Sequence, residues 1–365
     1  MFNNRFAGAN VLVTGHTGFK GSWLTTWLLK LGANVTGIGL DPNTSPSLFS
    51  TLDLGRKITD RRIDVRDSIS LDQAVQQAQP DFIFHLAAQA LVRESYHDPQ
   101  TTWSTNVMGT VNLLTAVQKL KKSCSVIIVT SDKCYHNNEW PWGYRETDEL
   151  GGHDPYSASK AATELVTRSF THSYFMTPTS LIRVGSVRAG NVIGGGDWSP
   201  DRIVPDCVKA WARAEMVVLR NPNATRPWQH VLEPLSGYLC LASRLAENAT
   251  LNGEPFNFGP TVERTVYTVG QLVEVMSRAW PNARFEIELP TDRNPHEAAL
   301  LQLNCDKAMS QLKWASVLDF ENTVNLTADW YRQYYENSKS IFELTTQQIS
   351  QYEKRAQDDN LQWTM

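Results

Sequence analysis

Long apolar runs are missing from this 365-residue chain. None approaches the roughly 18 residues that mark a membrane-spanning helix, so no membrane partner is expected. An excess of one charge is missing too: 34 Lys and Arg face 38 Asp and Glu, a formal net charge of -4. That balance argues against nucleic acid or a membrane surface as the main partner. Cysteine is sparse. Cys124, Cys134, Cys207, Cys240 and Cys305 stand at scattered spacings that suit neither a disulfide framework nor a zinc site, so no metal is expected. A reducing, cytoplasmic setting follows as the expectation. The first residues hold no long apolar stretch and no cleavage pattern, and read as a leader into a strand. There is no low-complexity tract and no internal repeat. What is present is a hydrophobic fraction of 41%, enough for a large core, and 12 Trp, which composition alone does not explain. At about 150 residues per domain the length suggests roughly two domains.

The first half alternates short β-branched runs with helical patterns. Val11 to Thr14 is an apolar run ending at Gly15, followed by Trp23, Leu24, Trp27, Leu28 and Leu31 on one helical face, with Gly32 placed to end the helix. Asn34 to Leu40 predicts a second strand and Arg62 to Val65 a short third. Asp81 to Leu86 and Ser125 to Thr130 are apolar without alternation, as strands covered on both faces are. Helical patterns lie near 70–79, 100–121 and 156–174, and a further strand fits Ser180 to Val184. This alternation predicts an α/β fold: a Rossmann-type, doubly wound parallel sheet. After about Gly190, loops rich in Gly, Pro, Asp and Asn separate shorter elements, which predicts a smaller α/β C-terminal domain. The tail from about 340 is polar and reads as a surface helix or frayed end.

Ligands in such sheets bind outside the carboxyl ends of the strands. The first strand runs into Thr14-Gly15-His16-Thr17-Gly18-Phe19-Lys20-Gly21 and then a helix. Glycines at this spacing permit a tight turn, close approach of backbone to a pyrophosphate, and close packing of helix on strand. The helix N-terminus adds free N–H groups and partial positive charge. Asp41 ends the second strand, where an acidic residue binds the ribose hydroxyls of NAD and would repel the extra phosphate of NADP. Asp64 and Val65 are candidates for the adenine edge. His16 either touches phosphate or is simply exposed. Tyr156 and Lys160, i and i+4 after Asp154-Pro155, share a helix face. A nearby ammonium lowers a phenol's pKa and makes it a usable base.

With that pair in place the chain resembles the extended short-chain dehydrogenase/reductase family from about residue 9 to 335. The matching residues are the glycine loop, His85-Leu86-Ala87-Ala88, Asn106-Val107-Met108-Gly109-Thr110, Thr130-Ser131-Asp132-Lys133-Cys134-Tyr135 and Tyr156-Ser157-Ala158-Ser159-Lys160. Arg183-Val184-Gly185, Gly190-Asn191-Val192 and Arg226-Pro227-Trp228-Gln229-His230-Val231 complete the set. The resemblance implies an NAD-binding domain over 1–190, with return segments at about 227–260, and an interleaved nucleotide-sugar domain over 191–340 ahead of the 341–365 tail. It implies a homodimer through the helices near 100–121 and 156–174, or a homotetramer. It assigns NAD contacts to Gly15, Thr17, Gly18, Phe19, Lys20, Gly21, Asp41, Asp64, Val65, Leu86, Ala87, Ala88, Asn106, Thr130, Tyr156, Lys160 and Arg183.

Within the family the residues after the Ile127-Ile128-Val129 strand decide the reaction. Epimerases place small hydroxyl residues there. Sugar-nucleotide 4,6-dehydratases place a hydroxyl residue, then Asp, then usually Glu. Ser131-Asp132-Lys133 departs at the third position. With Tyr144-Arg145-Glu146, the Leu150–Ala162 segment and Pro295-His296-Glu297-Ala298, it looks like the branch that acts on CDP-glucose. The implied chemistry starts with Tyr156 taking the O4 proton as hydride leaves C4 for NAD. Water is then lost across C5 and C6 with Asp132 as acid, and hydride returns to C6. Lys133 is a candidate C5 base or an enolate-stabilising cation, since an ammonium with an ordinary lysine pKa of about 10.4 must first lose its proton. Asn191, Arg226 and Arg293 are the candidate diphosphate ligands, with Arg202, Arg220 and His296 behind them, because a guanidinium matches phosphate oxygens bidentately. Other readings are a dehydratase for GDP- or dTDP-sugars, a sugar-nucleotide 4-epimerase, and a non-catalytic NAD-binding regulator. Trp23 and Trp27 suit the core, and Trp140, Trp142, Trp198 and Trp228 suit loop rims near the site.

Overall fold

The computed structural model describes residues 1–219, 221–260, 267–281, 283–288, 301–337 and 340–365. Its strands are β1 (Asn10–Thr14), β2 (Asn34–Gly39), β3 (Thr59–Arg62), β4 (Phe82–His85), β5 (Cys124–Val129), β6 (Ile182–Ala189), β7 (Val192–Ile193), β8 (Val217–Leu219), β9 (Gln229–His230), β10 (Pro255–Phe258) and β11 (Phe285–Ile287). The α-helices are α1 (Phe19–Lys30), α2 (Leu48–Thr51), α3 (Ser68–Ala78), α4 (Val92–His97), α5 (Pro99–Trp103), α6 (Gly109–Val117), α7 (Pro155–Phe170), α8 (Ile203–Ala212), α9 (Leu232–Glu247), α10 (Val269–Arg278), α11 (Phe320–Tyr335) and α12 (Ile341–Asp358). Seven strands form one sheet in the order β10-β6-β5-β4-β1-β2-β3, and every pairing in it is parallel.

Alternate residues along the central strands fill two separate cores. Val11, Val13, Phe82, Phe84, Ile127 and Val129 face one side, where Trp23 and Trp27 of α1 and Leu235 and Leu239 of α9 cover them. Leu12, Ile83, Val126 and Ile128 face the other, under Leu71 and Val75 of α3 and Leu113 and Val117 of α6. Burial on both faces explains the unbroken apolar runs of these strands. The helices start where side chains cap them. Asp67 accepts from Ile69 and Ser70 N–H ahead of α3, and Asp154 accepts from Ser157 N–H ahead of α7, with Pro155 in the first turn.

The structure differs from the sequence reading at four places, the first being the strand expected at Ser180 to Val184, which runs as β6 from Ile182 to Ala189. The third strand is Thr59–Arg62, not Arg62–Val65. It is a polar strand on the sheet edge, so no apolar signal marks it, while Val65 is buried beyond it in the turn toward α3. The tail is not frayed. α12 buries Leu344, Ile349, Tyr352 and Ala356, and Trp363 stacks on Phe2 at 5.0 Å. Trp198 and Trp228 are buried rather than placed on loop rims, whereas Trp140 and Trp142 are exposed.

After β6 the chain forms two small parallel sheets, β7 with β9 and β8 with β11. β10 returns to the large sheet beside β6. α9 packs across the β5 and β6 backs, so segments far apart in sequence build one sheet.

Candidate active site

The strand order reverses between β1 and β4: β2 and β3 lie on one side, and β5 and β6 on the other. Such a reversal opens a crevice at the carboxyl ends, and ligands of parallel sheets bind there. Around it stand the glycine loop after β1, Asp41 after β2, Leu86–Ala88 after β4, Thr130–Lys133 after β5 and Gly190-Asn191 after β6.

The nucleotide half is shaped by missing side chains. Gly15 has φ +75°, and a Cβ there would come within 2.7 Å of the Ala87 nitrogen. A Cβ on Gly21 would strike the Gly15 carbonyl oxygen at 2.1 Å. Both positions therefore need glycine for helix, loop and strand to close on one another. Gly18 is exposed, and a Cβ there would meet only the Gly15 carbonyl, at 3.4 Å. The loop thus presents bare backbone and the α1 N-terminus to the crevice, a surface that fits a pyrophosphate. Thr17 Oγ1 donates to the Leu40 carbonyl at 3.0 Å and pins the loop to the end of β2. Asp41 is exposed beside Arg62, whose guanidinium is engaged by the Leu40 carbonyl and Asp60. Asp64 holds Arg66 in a short turn, and Val65 is buried with its carbonyl accepting from Asn112.

His16 is neither a phosphate ligand nor exposed. It is buried under Gly37, 2.9 Å from Asp60, and burial holds its imidazole below the ordinary histidine range against the pull of Asp60. His85 is likewise a latch. Its ring joins Thr14 at 2.7 Å to Thr110 at 3.1 Å, and burial takes it down to about 3, so it stays neutral. Thr14 Oγ1 in turn accepts from the Ala87 N–H, which fixes the Leu86–Ala88 wall.

The residues that are candidates for catalysis gather at the end of β5. Ser131 caps a short turn: its Oγ accepts from the Lys133 N–H and donates to Asp132 Oδ1 at 2.9 Å. The Tyr156 hydroxyl, in the first turn of α7, lies toward Ser131. Burial pushes the phenol up to about 12, and Ser131 and Arg202 oppose the shift. One turn later the Lys160 ammonium donates to the Val129 carbonyl at 3.2 Å. Burial brings it down to about 8, with Glu164 opposing. Asp132 is 1% exposed, and its Oδ2 has no hydrogen-bond partner among the described residues. Lys133 Nζ lies 3.7 Å from Asp132 Oδ1. Arg202 reaches in from the loop before α8, held by Asp197 at 2.8 Å. Ser131, Asp132, Lys133, Tyr156 and Lys160 are thus brought together.

Other sequence-based assignments change. Arg183 does not reach the cofactor crevice. It sits near the start of β6, six residues (roughly 20 Å) before the carboxyl end, where it donates to the Leu245 and Ala246 carbonyls and caps α9. The arginine near the carboxyl end is Arg188, a residue the motif match overlooked. Asn106 is fully engaged within the protein by Gln89 N–H, the Gln89 carbonyl and Ser159, so it shapes the wall rather than offering a polar atom. The Thr130 hydroxyl points away, to Glu164 and the Val187 carbonyl. Asn191 uses its carbonyl to hold Gln229, and Arg226 Nη1 donates to the Thr225 carbonyl. Arg220, Arg293 and His296 lie outside the described residues.

Sequence reasoning also missed the pair beneath the site. Glu164 accepts from Arg188 Nε and Nη2, both at 3.0 Å, and from Ser186 and Thr130. The signal was available: Glu164 is i+4 from Lys160 and shares its helix face.

A parallel sheet whose glycine loop and Ser-Tyr-Lys cluster share one crevice defines the extended short-chain dehydrogenase/reductase class. Comparison with known proteins narrows this. The family described as GDP-mannose 4,6 dehydratase matches residues 12–327, and the chain belongs to that family. It is 43% identical over 353 residues to the CDP-glucose 4,6-dehydratase of Salmonella typhimurium, covering 96% of this chain and 97% of that one. It is 27% identical to a dTDP-glucose 4,6-dehydratase of Xanthomonas campestris, over 88% of this chain and 93% of that one. Among solved structures, the fold is shared by the UDP-glucose 4-epimerase of Thermus thermophilus in complex with NAD. That match has a TM-score of 0.72 at 22% identity and covers 88% of this chain and 98% of that one.

Proposed function

We infer that this chain is an NAD-dependent hydro-lyase that converts CDP-glucose to CDP-4-keto-6-deoxyglucose. The observation carrying this reading is the 43% identity to a CDP-glucose 4,6-dehydratase over nearly the whole of both chains. The buried Ser131, Asp132 and Tyr156 cluster supports it, because water elimination needs an acid beyond the hydroxyl pair that C4 oxidation uses. When bound, NAD supplies the hydride acceptor for C4 and the hydride donor for C6.

The chain's own residues do the rest. The backbone around Gly18 and the α1 N-terminus bind the cofactor's diphosphate, and Asp41 binds its adenosine ribose. Tyr156 takes the O4 proton, with Ser131 sharing the hydrogen bond. Lys160, one turn away, lowers the cost of the phenolate and holds the second ribose. Asp132 gives a proton to the C6 hydroxyl as it leaves, and Lys133 faces the enolate as a cation. Asn191, Arg202 and Arg226 receive the substrate's sugar and diphosphate. Two copies pair through the faces that carry Trp103, Met108 and Leu165, which are exposed on neighbouring helices. The proposed setting is the cytoplasm. It is supported by five unbridged cysteines and, among the described residues, by no helix long and apolar enough to cross a membrane.

The test offers purified protein with NAD+ to CDP-, GDP-, dTDP- and UDP-glucose and reads product mass. Loss of one water from CDP-glucose, with the others slower, is expected. An unchanged mass with altered stereochemistry means epimerase, and no turnover with any sugar refutes the reading. Tyr156→Phe is expected to slow C4 oxidation at least about a hundredfold, the ordinary size of a lost acid–base group.

A further inference from the structure

Gly190 follows the last residue of β6, at the carboxyl end of the sheet. Its φ lies outside the left-handed region, so the backbone there would accept a side chain. Space is what limits it. A Cβ on Gly190 would stand 3.2 Å from Asp132 Oδ2, 3.7 Å from Asp132 Cγ and 3.7 Å from Pro227 Cγ. The first contact is tighter than the roughly 3.5 Å at which carbon rests against a neighbouring heavy atom.

The backbones on both sides of that slot are tied down. Asp132 lies in a turn where the Cys134 N–H donates to the Ser131 carbonyl and the Tyr135 N–H to the Asp132 carbonyl. Just before it, the Thr130 N–H donates to the Val187 carbonyl of β6 at 2.9 Å. On the other side, the Gln229 N–H donates to the Asn191 carbonyl at 3.0 Å, and β9 pairs with β7 two residues after Pro227. The remaining freedom is in the Asp132 side chain. Its Oδ1 accepts from Ser131 Oγ at 2.9 Å and lies 3.7 Å from Lys133 Nζ. Both oxygens turn together about one bond, so moving Oδ2 away from a methyl group takes Oδ1 away from Ser131. Oδ2 is buried and has no hydrogen-bond partner among the described residues, so packing against Gly190 is what sets its place.

We propose that Gly190 is a positioning residue for water elimination, its missing side chain being the seat of the Asp132 carboxyl. This rests on the dehydratase reading above, which sets that carboxyl against the C6 oxygen. The constraint is steric and holds for either charge state of Asp132. Two supports fix the carboxyl: Ser131 Oγ on Oδ1, and the bare Gly190 α-carbon beside Oδ2. A side chain at 190 removes the second support and strains the first. Water loss then slows, because a group displaced by about 1 Å can lose on the order of a hundredfold in rate. C4 oxidation uses Tyr156 and hydride transfer to the cofactor, and does not depend on where Asp132 Oδ2 points. Gly190 thus acts through Asp132 and touches no reacting atom.

The experiment mixes NAD+ and CDP-glucose with the parent, Gly190→Ala, Gly190→Val, Asp132→Asn and the double variant Gly190→Ala/Asp132→Asn. Enzyme-bound NADH reads C4 oxidation, and product mass reads water loss. Both Gly190 variants are expected to form NADH within a few-fold of the parental rate and then to hold it longer. Water loss is expected to slow about tenfold in Gly190→Ala and about a hundredfold in Gly190→Val. In the Asp132→Asn background, Gly190→Ala is expected to add less than about twofold, because a residue that acts through another has nothing left to position. A full added loss in that background overturns the assignment. So does water loss within a few-fold of the parent in both Gly190 variants. Equal slowing of NADH formation and water loss overturns it too, because Gly190 would then serve binding or the fold. A parent that neither forms NADH nor loses water with any sugar nucleotide refutes the dehydratase reading instead, so the two failures are distinguishable.

Discussion

At the scale of single residues, the ion pair one turn beyond Lys160 carries the sharpest consequence. Burial raises a carboxyl, yet Arg188, Thr130 and Ser186 together hold Glu164 below the usual carboxylate range. Its contribution is therefore present at neutral pH and is lost as pH falls through the folded-state value. Arg188→Met leaves a buried charge without its counter-ion and is expected to cost about 3–5 kcal/mol of unfolding free energy in urea titrations. Adding Glu164→Leu is expected to recover part of that loss, because an apolar pair costs less than one stranded charge. No recovery in the double variant would mean that the pair matters through its neighbours instead. Ser131, Asp132, Lys133, Tyr156 and Lys160 were picked out in sequence by the family resemblance, and the fold brings them to one end of the sheet, after β5 and in the first two turns of α7. Arg183 was misassigned because a motif match carries no information about which end of a strand a residue occupies.

At the scale of elements, Glu233 in the first turn of α9 joins three parts of the chain. It accepts from the N–H groups of Val317 and Leu318 and from the Tyr352 hydroxyl of α12. Tyr352 also meets Ser236, which accepts from Trp314. α12 is held further by Glu353, which accepts from Trp27 Nε1 and pairs with Lys30. Burial pushes Glu233 up to about 7 in spite of its three donors. An acid whose folded pKa lies above the unfolded one binds more protons when folded. Stability is therefore highest below the ordinary glutamate range and falls as pH rises through about 7, by on the order of 3 kcal/mol at most. Urea midpoints and amide exchange over Ile341–Asp358 at several pH values check this. Glu233→Gln is expected to flatten the dependence, and an unchanged slope would assign it to other groups. The tail's polar composition hid this anchoring, because one buried stripe on an 18-residue helix is diluted by its exposed faces.

At the scale of the whole molecule, a groove lined by Pro99, Trp103, Val107 and Met108 lies on the face proposed for pairing, with Leu165 exposed on α7. Met108→Glu with Leu165→Glu sets charges into that face and touches no residue of the crevice. Light scattering is expected to show a halved mass for the double variant at moderate concentration. An unchanged mass would move the interface elsewhere. The sequence by itself determined the sheet class and the glycine loop, because local periodicity and motif spacing encode which residues follow each strand, and family resemblance made Ser131, Asp132, Lys133, Tyr156 and Lys160 the candidates for chemistry. Only the tertiary structure decided that His16 is a buried latch, that Arg188 rather than Arg183 stands near the site, and that β3 is a polar edge strand. Those outcomes depend on which groups lose water together when distant segments pack, and that is set by contacts the order of residues does not state.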